Sequence, residues 1–156
     1  MANSENRNIS GHDIGWHPWV LHPWIMEGRG ERMNWSAIGA VFLALAVILG
    51  AFGAHGLKDR LDAYSLSVWE KAVFYHFIHA MGVLVVSLLP KTGTFPVAGA
   101  SLVAWLLTAG ILIFSGSLYL LAVTGVHTLG AITPIGGVCF IAAWLLLAYY
   151  FIAQRA

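Results

Sequence analysis

Between Thr92 and Gln154 the chain runs for 63 residues without a Lys, Arg, Asp or Glu. A water-soluble domain turns its outer faces to solvent and needs charge there, whereas a chain surrounded by lipid does not. The rest of the sequence agrees: only 10% of residues are charged, against roughly 25% in soluble domains. All seven acids lie at or before Glu70. A net charge of +1 lacks the clustered bases of a nucleic-acid binder, so none is expected. The single cysteine, Cys139, sits in an apolar run and reads as a small buried hydrophobe without a disulfide partner in the chain.

A helix crosses about 30 Å of hydrocarbon with about 20 apolar residues. Four segments meet that length, at about 36–56, 72–89, 97–123 and 134–153. The uncharged run is long enough for two crossings, so it must turn near Thr124 to Thr128. Thr133-Pro134 suits a helix start, with Thr capping free amides and Pro at the first position; the alternative is a helix from Thr128 kinked at Pro134. Short connections favour antiparallel neighbours, so the expected fold is an all-α bundle of four transmembrane helices.

Between the first two spans, Leu57, Leu61, Tyr64 and Val68 recur at three- and four-residue spacing with charges on other faces. That pattern predicts a short amphipathic helix at the headgroup level, anchored by Trp69. Counting bases with both termini inside gives Arg7, Arg29, Arg32, Lys91 and Arg155 on that side, against Lys58, Arg60 and Lys71 on the other. The balance favours cytoplasmic termini; without residues 1–32 it reverses. Those residues hold the tandem His17-Pro18-Trp19 and His22-Pro23-Trp24. Their prolines interrupt any signal-peptide core. They read as a disordered extension, as the product of a start codon upstream of Met33, or as an interfacial arm of Trp and His.

Within the spans, Ala46, Gly50 and Ala54 fall four apart on one helical face, where small residues let another helix approach closely. Gly116, Gly136 and Gly137 are expected to serve helix packing in the same way. His55 sits on a bare backbone between Gly53 and Gly56. The second span offers Tyr75, His76 and His79; the third offers Ser115, Ser117 and Tyr119, preceded by Thr108 and Gly110; the fourth begins at Thr133. Hydroxyls and imidazoles in hydrocarbon need partners, since an unsatisfied polar group there costs several kcal/mol. These residues are expected to face one another as a polar seam. His55, His76 and His79 would make three nitrogen ligands, as in a catalytic zinc site, but no Asp, Glu or Cys stands nearby to strengthen one. Neither metal nor cofactor is expected. Glu70 is explained by its place near a helix start.

The motifs Gly50-Ala-Phe-Gly-Ala-His55-Gly, Trp69-Glu-Lys-Ala-Val-Phe-Tyr75-His-Phe-Ile-His79-Ala, Phe114-Ser-Gly-Ser-Leu-Tyr119 and Ile132-Thr-Pro-Ile-Gly-Gly137 stand in order along the chain. Together they resemble the YgdD-like family of small membrane proteins, the domain of unknown function 423, which is also transmembrane protein 256-like. The resemblance covers about residues 33–153. It implies four helices in a bacterial inner membrane with cytoplasmic termini, and it implies no catalytic residue. The family pattern generally has Gln where His76 stands, which counts against a three-histidine metal site. It leaves His55, Tyr75, His79, Ser115, Ser117, Tyr119 and Thr133 as the matching polar set.

No nucleophile elbow, phosphate loop, zinc-protease motif or intramembrane carboxylate pair occurs in the sequence, which argues against an enzyme. The expected function is binding or scaffolding through the seam, with the lipid bilayer and a membrane protein partner or second copy as contacts. One alternative is a small transporter or proton-coupled carrier using unwound backbone near Pro134 and Gly136-Gly137. Another is an accessory subunit of a larger membrane complex.

Overall fold

Large apolar side chains point outward along every long helix of the computed structural model, which describes residues 33–93 and 95–154. Ile48 is 61% exposed, Leu112 61%, Leu145 66% and Ile152 71%. Such a surface is stable only where the surrounding medium is itself apolar. Four helices are long and apolar enough to cross a membrane: Trp35–Leu57, Ala63–Thr92, Val97–Thr124 and His127–Ala153. No strand occurs among the described residues. The expectations for the first 32 residues, and the bases Arg7, Arg29, Arg32 and Arg155 used in the charge count, lie outside the described residues.

The first span is α1 (Trp35–Phe52). It starts at Asn34, whose side chain accepts from the Ala37 amide at 3.2 Å, and it ends in a π-helical turn over Gly53–Leu57. The second is α2 (Ala63–Leu88). Asp62 caps it by accepting from the Ser65 amide at 2.7 Å. That cap changes the sequence expectation. Residues 63–71 are the first turns of the second spanning helix and form no separate amphipathic element, because nothing breaks the helix between Ala63 and the apolar run. Trp69, expected as an outward anchor, is instead buried, 5% exposed, in a cluster with Leu57, Val68, Leu121 and Ala122.

The third span is α3 (Val97–Gly110), a π turn over Ile111–Ser115, and α4 (Gly116–Thr124), closed by Gly125 at φ 69°. A positive φ costs glycine nothing, so the chain reverses there into a 3-10 turn at His127–Ala131. The fourth is α5 (Thr133–Ala153), with Pro134 in its first turn. Ile132 occupies the capping position and Thr133 is already helical. Both readings hold in part: the α-helix proper starts at Thr133, helical turns begin already at His127, and α5 is continuous through Gly136-Gly137. The carrier reading loses the unwound segment on which it drew.

α2 packs against α1 on one side and against α3 and α4 on the other, while α5 lies along α3 and the π turn after it. α1 and α2 meet most closely where a Cβ on Gly39 would lie 2.8 Å from the Leu84 amide nitrogen. Beside that contact the Ser36 and Ser87 hydroxyls join at 2.9 Å, and the Trp35 and Trp105 rings meet edge to face at 4.9 Å. The main apolar core holds Ala80, Val83, Val103, Leu107, Phe140 and Ala143.

Candidate functional site

The antiparallel register of α2 against the third span is fixed by three contacts. A Cβ on Gly82 would touch Leu107 at 3.2 Å, the Tyr75 and Phe114 rings lie 4.6 Å apart, and His76 Nδ1 meets the Tyr119 hydroxyl at 3.3 Å. That register sets Ser115 at the depth of His76 and His79. Of the polar residues read from the sequence, His79, Ser115 and Ser117 are buried, Tyr119 and Thr133 are half-buried toward the end of the third span and the start of α5, and Tyr75 and His55 keep exposed side chains. His55 is exposed on the π turn that ends α1 and contributes nothing to the interior.

His79 is held on two sides. Its ring stacks on Phe140 with centroids 3.4 Å apart and planes 12° apart, and lies nearly parallel to Tyr75 at 5.8 Å. Its Nδ1 lies 2.7 Å from the Tyr75 carbonyl oxygen. A carbonyl only accepts, so Nδ1 carries a proton and in the neutral ring Nε2 is the acceptor. Tyr75 supplies that carbonyl while its own ring is partly exposed.

Ser117 and Thr133 join the third and fourth spans at 2.8 Å. Ser117 also lies 2.9 Å from the Phe114 carbonyl oxygen. With the Ser117 proton on that carbonyl, Thr133 donates to Ser117, and the Leu129 carbonyl oxygen, 3.4 Å from Thr133 Oγ1, is its longer alternative acceptor. The Thr133 hydroxyl is thereby used between helices and not as a cap.

Other polar atoms are less well served. His76 Nε2, Thr108 Oγ1 and Ser115 Oγ are buried without a hydrogen-bond partner, and Ser115 is 0% exposed. His76, set aside on the family pattern, is thus the histidine with the open buried nitrogen. Among the described residues no group of three His, Cys, Asp or Glu could hold a metal ion.

The small residues divide as well. Ala46 is buried, 1% exposed, while Ala54 faces outward. A Cβ on Gly50 would lie 3.3 Å from Val73. Gly136 is the tightest position: an added carbon would sit 2.8 Å from Phe114 Cα and 2.7 Å from its Cβ. Gly137 leaves 3.8 Å to the Phe114 ring, and around Gly116 nothing lies within 4 Å. Gly116 and Ala54 therefore do not pack a neighbouring helix. Gly110, across from Gly136, leaves a Cβ only 3.2 Å from the Gly136 carbonyl oxygen. Gly53 makes room for the Trp69 indole, 2.6 Å from an added Cβ, and the indole N–H donates to the Leu49 carbonyl at 3.0 Å where α1 widens into its π turn.

Four apolar helices with polar side chains turned inward define an α-helical integral membrane protein. Residues 49–137 match the family described as a protein of unknown function, DUF423. The chain is 51% identical over 110 residues to a UPF0382 membrane protein of Staphylococcus saprophyticus, covering 70% of this chain and 89% of that one. It is 53% identical over 110 residues to one from Staphylococcus epidermidis, covering 70% and 88%. It is 48% identical over 114 residues to the UPF0382 membrane protein YwdK of Bacillus subtilis, covering 70% and 89%. The chain belongs to this family of uncharacterised membrane proteins, and no solved structure matches it.

Proposed function

We propose that the protein is a non-enzymatic binding or scaffolding component of a bacterial inner membrane, with cytoplasmic termini, whose polar seam holds a small polar guest between α2 and the third span. The observation that carries this reading is the set of buried atoms without partners, His76 Nε2, Thr108 Oγ1 and Ser115 Oγ. Native interiors pair such groups with protein, ordered water or a ligand, and hydrocarbon offers no substitute partner. Of the paired members, Ser117 with Thr133 ties the third span to the fourth, while the bond from His79 to the Tyr75 carbonyl, within α2, fixes the orientation of its own ring.

Ser115→Ala tests the reading, with native mass spectrometry for a bound small molecule and thermal unfolding in detergent. If a guest uses the Ser115 hydroxyl, the variant loses both the adduct and stability. A site without a guest gives the opposite sign: deleting an unpaired buried hydroxyl raises stability by about 1 kcal/mol. A more stable variant with no adduct in the parent protein refutes guest binding and leaves a scaffold closed on itself.

A further inference from the structure

A groove of about 610 Å³ runs along the outer face of the bundle between α1 and α2, away from the seam. Its floor is the stripe of small residues Ala46, Gly50 and Ala54, and Val73, Phe74 and Phe77 form its other wall. The lining runs from Ala46 to Ala54 on one side and from Trp69 to Phe77 on the other, about 12 Å each at the rise of an α-helix. The groove is apolar except for Glu70, the one charged residue that lines it. Glu70 is exposed and pairs with no other described residue. It lies one residue from Trp69, which packs on Gly53. That places the carboxylate about one turn below Leu57, close to the membrane surface. Lys58 and Arg60, also exposed, occupy the turn above.

A carboxylate at the mouth of an apolar groove calls for an occupant with a hydrocarbon body and a cationic head. We propose that the α1/α2 groove is a site for an aminophospholipid, with one acyl chain along the small-residue floor, its ammonium on Glu70 and its phosphate toward Lys58 and Arg60. Leaving other lipid for this groove brings the acyl chain no hydrophobic gain, so headgroup chemistry decides which lipid stays. A second copy of the chain fits poorly, because a two-fold axis through the groove would bring two Glu70 carboxylates together.

The full-length protein in detergent, titrated with phosphatidylethanolamine or phosphatidylglycerol of identical acyl chains, reports bound lipid by native mass spectrometry. Phosphatidylethanolamine adducts are expected to exceed phosphatidylglycerol adducts by roughly fivefold, the upper end for an exposed ion pair. Glu70→Gln abolishes that preference. Ala51→Phe, an exposed lining position, fills the groove and reduces adducts of both lipids while thermal unfolding stays at the parent temperature. Equal retention of the two lipids, a preference that survives Glu70→Gln, or a dimer that excludes lipid overturns the assignment.

Discussion

The adjacent glycines of α5 give opposite expectations for the same substitution. In Gly136→Ala the new carbon meets backbone, 2.8 Å from Phe114 Cα where ordinary contact begins at 3.4 Å. The Phe114 amide nitrogen lies nearer still, so the helices must part by more than about 0.6 Å, a gap that forfeits a quarter or more of each dispersion contact it opens. Phe140 and Ala143, on the same helix and in the core, lose packing with it. Overpacking of this kind costs about 1–3 kcal/mol. Against it stands the helix-propensity gain of alanine over glycine, about 0.5–1 kcal/mol. Gly136→Ala is therefore expected to destabilise by about 1–2 kcal/mol. Gly137→Ala meets only ring atoms 3.8 Å away and should keep the propensity gain, stabilising by up to about 1 kcal/mol. Reversible unfolding in mixed micelles, followed by tryptophan fluorescence, measures both. If the two variants shift in the same direction, the close approach of α5 to Phe114 is wrong.

Two further outcomes follow from the ends of α1 and α2. Trp69→Phe keeps most of the buried ring but removes the donor to the Leu49 carbonyl, so it should cost about 1–2 kcal/mol in the same unfolding assay; no change refutes a structural role for that bond. Asp62 is held below its ordinary carboxylate range chiefly by the Ser65 amide it caps. A lowered folded-state pKa means its stabilisation is present above the ordinary carboxylate pKa and fades as pH falls through the lowered value. Amide exchange in the first turn of α2 should accelerate across that acidic window, and Asp62→Asn should remove the dependence while keeping a cap.

Much of the fold is legible in the sequence because lipid imposes a simple requirement. A helix satisfies its own backbone in hydrocarbon, so uncharged length alone places the spans. Part of the inward polar placement was legible for the same reason: Ser117 and Thr133 meet between spans, as do Tyr119 and His76, whereas His79 finds its partner on its own helix. The start of α2 was not. Glu70 and Lys71 look like a boundary in one dimension, whereas on the helix both point outward and leave the inner face apolar. The second of the two π turns was hidden too. Gly53 and Gly56 mark the first, but nothing in Ile111–Ser115 marks the second.

The charge-free runs and the four ordered motifs determined by themselves the solvent of this protein, its number of crossings and its family. Which small residues touch a neighbour was decided only by three-dimensional packing. Gly136 meets the Phe114 backbone while Gly116 meets nothing, because helix rotation and crossing are set by the joint fit of many side chains. The same fit left Ser115 and His76 Nε2 unpaired while closing Ser117 on Thr133. A hydrogen bond depends on tenths of an ångström between helices, and spacing along a single helix does not encode that distance.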